Sequence, residues 1–260
     1  MNATDTQTIH RVTHEIKRRK LEVLRVVDLT PRMRRITVGG AQLAGFISLG
    51  SDDHVKLFFP QTTEELATLE NLELSAGMKS KTMPPMRDYT PRRYDLDTLE
   101  LDIDFVLHGD GPAATWAAQA RPGQWLYIGG PRGSMVVPDM FDSYLLIGDE
   151  TALPAIARRL EELPANRRAL VVVEVENAAE EQTLNSAASV EVIWVHRDGS
   201  NNLLEIVQGL SIPQGKLYAW VATETALSRK VRRVLLDTHG LNEEFVKAAG
   251  YWRLDSSTED

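Results

Sequence analysis

The sequence predicts two domains of different class, an N-terminal antiparallel β-barrel and a C-terminal α/β domain on a parallel sheet. Two patterns carry this. In "LELDIDFVLH" (99–108), Leu99, Leu101, Ile103, Phe105 and Leu107 alternate with Glu100, Asp102 and Asp104, the period of a half-buried antiparallel strand. After about residue 138 the rhythm changes. "YLLIG" (144–148), "ALVVVEV" (169–175), "VEVIWVH" (190–196) and "KLYAWVAT" (216–223) are short, continuously apolar runs separated by helical stretches. Such strands are buried on both faces, as in a parallel sheet covered by helices. The boundary falls in "VVPDMFDS", giving a barrel over 18–138 and an α/β domain over 139–260.

Within the barrel, residues 1 to about 18 are polar and basic and read as a loose arm. "LEVLRVVDL" and "MRRITVGG" read as strands joined by a Thr30-Pro31 turn. "HVKLFF" (54–59) sets Val55, Leu57 and Phe59 on one face and His54, Lys56 and Phe58 on the other. The connection 61–86 holds a short helix, "TEELATLENL", and then a loop, "KSKTMPPM". "QWLYIGGPRGSMVV" supplies one more strand and a glycine-rich turn. In the second half, helices are expected over 152–162, 178–185, 201–209 and 225–239, the last stopped by Gly240.

Composition removes several functions. The chain has 260 residues and a formal net charge of -8, which argues against a general nucleic-acid binder. It has no cysteine, so thiolate zinc, iron–sulfur and thiol chemistry are excluded. The six histidines show no metal spacing, and neither H-E-x-x-H nor G-x-S-x-G occurs. The N-terminus lacks the apolar region of a signal peptide, and no apolar run approaches a membrane span. A cytoplasmic monomer with no protein metal site is the expectation.

Parallel α/β sheets bind ligands beyond the C-terminal ends of their strands. Three such ends stand out: "GDETALPAI" from Gly148, "WVATET" closing on Glu224, and "WVHRDGS" with Arg197. The first is not G-x-G-x-x-G, and Asp149 and Glu150 sit where a phosphate would want neutral or positive neighbours. Helix caps account for Asp149, Thr151 and Glu224 as well as a nucleotide does. Arg197 suits an adenosine 2′-phosphate or simply solvent. In the barrel half, "RDYTP" (87–91) places Arg87 and Tyr89 on one face of an extended segment. A guanidinium can clamp a phosphate, a tyrosine ring can stack on a flat heterocycle, and a threonine hydroxyl can both donate and accept. "HGDGPAATWAAQA" (108–120) adds a tight turn and a helix opening on small residues, where a diphosphate could approach the backbone.

Together "DDHVKLFFP", "RDYTPRRYD", "DIDFVLHGDGPAATWA", "GPRGSMVVP", "GDETALPAI", "WVATET" and "AAGYWR" resemble the siderophore-interacting proteins, FAD-dependent ferric-siderophore reductases of the ferredoxin–NADP reductase superfamily. The resemblance runs from about residue 20 to 253. It implies that hydride passes from NADPH or NADH to FAD, and single electrons then pass to siderophore-bound Fe(III), releasing Fe(II). It implies that Arg87 binds the FAD phosphates, Tyr89 stacks on the isoalloxazine and Thr90 bonds near flavin N5, the last two being the catalytic pair. Asp88 falls within the same cofactor segment, with its side chain expected to point away. His108, Ala114, Thr115 and Trp116 would line the diphosphate and adenine. Gly148, Asp149, Glu150, Thr151 and Glu224 would border the nicotinamide, Arg197 would take the 2′-phosphate, and Tyr251 and Trp252 would form the C-terminal aromatic motif. Lys56 and Arg132 would hold the anionic ferric siderophore, with Arg253 as a further candidate. Two alternatives remain open: a reductase serving a ferredoxin or flavodoxin, and a siderophore carrier without activity. Arg92 and Arg93 have no assigned role.

Overall fold

The computed structural model describes residues 8–71 and 82–254. The last position expected of the first helix, Leu72, the start of the 79–86 loop and the extreme N-terminal arm lie outside them. The chain divides into two compact units, Met1–Pro138 and Asp139–Asp260.

In the first unit, seven strands form one antiparallel sheet: β2 (Arg18–Thr30), β3 (Met33–Gly39), β4 (Val55–Phe58), β5 (Met86–Tyr89), β6 (Arg93–Asp95), β7 (Glu100–Val106) and β8 (Trp125–Gly129). Their order is β5-β4-β8-β2-β3-β7-β6. β5 and β6 are thus the two edges, joined in sequence by Thr90-Pro91-Arg92. Leu21, Val23, Ile36, Val38, Val55, Leu57, Leu101, Ile103 and Phe105 build the core on one face. Phe58 and Tyr127 face the other way, into a small cluster with Leu69 under helix α1 (Thr63–Glu70). Thr62 caps α1 by accepting from the Glu65 N–H.

Two expectations about this unit need correcting. The arm is not wholly loose: β1 (His10–Thr13) pairs antiparallel with β9 (Gly133–Val136), so "QWLYIGGPRGSMVV" contains two strands rather than one. And β7 is not half-solvated, because Asp102 and Asp104 are only 5% and 6% exposed. Guanidinium groups from other strands make this burial tolerable. Arg35 holds Asp104 with a fork of 2.6 and 2.7 Å. Arg93 Nε donates to Asp102 at 2.8 Å, and the Thr37 hydroxyl donates to it at 2.7 Å. Arg92 lies 4.0 Å from Asp104, and its backbone N–H donates to the Asp102 carbonyl at 2.9 Å. Arg92 and Arg93 therefore fasten the segment after Pro91 to β7.

The second unit is a five-stranded, all-parallel sheet: β10 (Ser143–Asp149), β11 (Arg168–Val175), β12 (Ser189–His196), β13 (Leu217–Glu224) and β14 (Val246–Trp252), in the order β12-β11-β10-β13-β14. The order reverses between β10 and β13, which makes their C-terminal ends the switch point where such sheets bind ligands. Helices α3 (Leu153–Glu162), α4 (Leu203–Gln208) and α5 (Thr225–Arg233) connect the strands. Residues 178–185 hold only a 3-10 turn, Ala178–Glu180, not a helix. The 225–239 stretch is α-helical to Arg233 and closes in a wider π turn, Val234–Thr238. Gly240 then takes φ 65°, a left-handed stop that suits glycine. β14 was not anticipated, since the middle of "VKAAGYW" is Lys-Ala-Ala-Gly, residues depleted in strands. Among the described residues no helix is long and apolar enough to cross a membrane.

Candidate functional site

In the first unit, the candidate site is built on β5. Register pairs Val55 with Tyr89 and Leu57 with Arg87, and directly opposed residues share a face. Arg87 and Tyr89 therefore lie on the core side of the sheet, at its edge. The Tyr89 ring packs on Phe105 at 4.5 Å between centroids, and burial pushes its phenol above the usual tyrosine range. Tyr89 is thus a neutral, flat aromatic surface. Arg87 is exposed, and among the described residues its guanidinium donates to the Met86 carbonyl, at 2.8 Å. No carboxylate among the described residues pairs with it, so its guanidinium fork is available to an anion. Thr90 is buried at the end of the strand.

A second element meets this one. Helix α2 (Pro112–Gln119) starts after Gly111, which contributes no side-chain cap, so its first N–H groups are open to a ligand. Ala113 and Ala114 are buried on it, while Thr115 is exposed. Trp116 packs on Phe105 at 5.7 Å and on Phe59 at 5.8 Å. Phe105 thus links the Tyr89 ring to α2, and the structure brings the two barrel motifs together. His108 lies exposed in the turn before the helix. An unpaired guanidinium, a stacked tyrosine and an uncapped helix start fit a flavin dinucleotide: phosphate donors and a ring platform from separate elements.

Asp88 does not belong to that set. It pairs in register with Lys56 on the opposite face, and the Lys56 ammonium donates to it at 2.7 Å. On its other side Lys56 is paired with Gly129 of β8, which runs into the turn carrying Arg132. Arg132 is exposed, its carbonyl accepting from the His14 N–H at 2.9 Å. Arg19 Nη1 donates to the Gly130 carbonyl at 3.0 Å and steadies this turn from beneath.

In the second unit, the end of β10 is packed against α3. A Cβ on Gly148 would lie 2.4 Å from the Ala152 Cβ, so only glycine lets helix and strand approach this closely. Asp149 is buried. Trp252 Nε1 donates to its Oδ2 at 2.7 Å, and the Thr151 N–H and hydroxyl donate to its Oδ1 at 2.9 and 2.5 Å. Burial pushes the Asp149 carboxyl above the usual carboxylate range, against the pull of those donors. Asp149 thus ties Trp252, the end of β14, to the end of β10. Tyr251 stands edge-on to Trp220 at 6.0 Å. Glu224 caps α5, accepting from the Ala226 and Leu227 N–H groups at 2.5 and 3.0 Å. Burial raises its carboxyl, but the backbone donors outweigh this and leave it below the usual range.

Arg197 is already committed. Its guanidinium donates to both Glu150 oxygens, at 2.5 and 2.6 Å, and to Glu174 at 3.1 Å, with Glu176 at 3.7 Å. Burial lowers this guanidinium's affinity for its proton, and the carboxylates more than reverse that. A 2′-phosphate at Arg197 would have to compete with three carboxylates. Arg253 is exposed at the end of the described chain. Among the described residues, no group of His, Cys, Asp and Glu is arranged to hold a metal ion.

The arrangement has close relatives. Residues 22–135 match the siderophore-interacting FAD-binding domain, and residues 141–255 match the siderophore-interacting protein family. The chain belongs to the siderophore-interacting protein family. Its first unit carries the FAD-binding domain of that family. An Escherichia coli K12 protein named NADPH-dependent ferric-chelate reductase is 35% identical over 93% of this chain and 95% of its own. The crystal structure of a siderophore utilization protein from T. fusca superposes with a TM-score of 0.85 at 38% identity, covering 96% of this chain and 99% of the other. A Neisseria gonorrhoeae ferredoxin NADP+ reductase with bound FAD and NADP shares the fold at 12% identity, with a TM-score of 0.64 over 91% of this chain and 99% of its own.

Proposed function

We propose that this protein is a cytoplasmic NAD(P)H-dependent ferric-siderophore reductase. The observation that carries the reading is that Phe105 joins the Tyr89 ring, on the strand that also carries Arg87, to Trp116 of the uncapped helix α2. A siderophore carrier without activity has no use for such a clamp. Bound FAD supplies the conversion of a two-electron hydride donor into one-electron reduction of Fe(III). The chain's residues do the rest. Arg87 and the first N–H groups of α2 would hold phosphate oxygens, Tyr89 would offer its ring face, and the Thr90 hydroxyl would donate to or accept from the flavin. Gly148 to Thr151 and the Asp149–Trp252 bond shape the end of the parallel sheet where the nicotinamide nucleotide is received. Lys56 and Arg132 form a local positive field for an anionic ferric chelate, against the net charge of -8. Fe(III) stays with the siderophore's own oxygen donors, and Fe(II) is held by them far less tightly, so reduction releases the metal without a protein ligand.

The test is a panel of acceptors. FAD-loaded protein with NADPH or NADH is expected to produce trapped Fe(II) from ferric siderophores and little turnover with flavodoxin or ferredoxin. Turnover with the protein acceptors alone would favour the electron-transfer reductase instead. Tight siderophore binding without oxidation of either nucleotide would favour the carrier.

A further inference from the structure

We infer that Asp88 is a specificity residue that screens Lys56 and turns the substrate preference toward ferric chelates of low charge. The inference rests on the reading of Lys56 and Arg132 as the docking field. β4 and β5 pair Lys56 directly with Asp88, so both side chains stand on one face with Nζ and Oδ1 2.7 Å apart. The neighbouring pair on the other side is Gly129, which has no side chain. Lys56 is therefore bounded by a carboxylate on one flank and by open backbone leading to Arg132 on the other. Arg132 has no carboxylate partner among the described residues, whereas the Lys56 charge is matched one for one.

The exposures decide what this pair can do. Lys56 is 35% and Asp88 49% exposed at the side chain, so this is a surface ion pair, cheap to open and weak as a structural brace. A ligand can reach the ammonium, but a highly charged one must do so beside the Asp88 carboxylate. A neutral ferric tris-hydroxamate feels little repulsion, while a ferric tris-catecholate, with three negative charges, feels it fully. Asp88 adds nothing to the flavin clamp, because Arg87 and Tyr89 occupy the opposite face.

The experiment measures binding of both chelates to the oxidised, FAD-loaded protein by tryptophan fluorescence, alongside KM for Fe(II) release. The proteins are wild type, Asp88→Asn, Lys56→Gln and the double variant. For Asp88→Asn, the ratio of tris-catecholate to tris-hydroxamate Kd is expected to fall about threefold to fivefold at low salt, the range of an exposed ion pair. The shift should shrink to less than about twofold at high ionic strength, where exposed charges are screened. In the Lys56→Gln background the gain from Asp88→Asn should likewise shrink. An unchanged ratio in Asp88→Asn, or an equal gain for both chelates, overturns the inference, as does a gain undiminished in the double variant. The two readings fail separately. Fe(II) release with an unchanged ratio leaves the reductase standing without Asp88, and a shifted ratio without any Fe(II) release leaves the docking pair standing without the reductase.

Discussion

Arg87→Ala is expected to weaken FAD binding by about 10- to 150-fold, the loss of roughly 1.5–3 kcal/mol of charge-assisted hydrogen bonding. The guanidinium is exposed, free of carboxylates among the described residues, and spends one donor on the Met86 carbonyl. Its loss should leave the barrel intact, since nothing in the core leans on it. Arg87→Lys should recover part of the affinity, because it restores the charge but not the planar fork. Titration of apoprotein with FAD, followed by flavin fluorescence, reads the effect. An affinity within about twofold of wild type would remove Arg87 from the clamp.

The second large effect is on stability. Asp104→Ala should cost about 3 kcal/mol, at the low end for breaking a buried pair. It leaves Arg35 and Arg92 facing the missing carboxylate, and the Arg35 side chain is 27% exposed and so partly relieved by water. Thermal unfolding should shift down by about 6–12 °C. Asp104→Asn, which keeps hydrogen-bonding atoms but not the charge, should fall between the two. Because Arg92 fastens the segment beyond Pro91 to β7, FAD affinity should fall in Asp104→Ala as well. A Tm within a degree or two of wild type would mean that the carboxylate–guanidinium ladder is dispensable.

The two large effects differ in how far they could be read from sequence. Alternation in "RDYTP" was enough to put Arg87 and Tyr89 together, and the register of β5 on β4 places both on one face. The parallel strands were equally plain, because burial on both faces leaves continuous apolar runs. The Asp104 ladder was not readable. Asp102 and Asp104 look like solvent-facing positions until Arg35 and Thr37 arrive from a strand more than sixty residues earlier. The same limit hid β1, whose partner β9 lies far along the chain. It also hid the environment of Arg197. Glu150 directly follows β10, Glu174 is the penultimate residue of the neighbouring β11, and the two converge on the guanidinium only once the sheet has formed. Asp88 could be expected to point away from the clamp by alternation alone, but that it points at Lys56 depends on which strand lies next door.

The most direct measurement is an anaerobic double-mixing experiment on the FAD-loaded protein. Mixing with NADPH or NADH should bleach the yellow flavin absorbance. Mixing next with a ferric tris-hydroxamate should restore it, with two Fe(II) trapped for each nucleotide oxidised, the balance of one hydride against two one-electron reductions. Absorbance that bleaches but does not return with the ferric chelate, or a protein that takes up no FAD at all, would contradict a ferric-siderophore reductase.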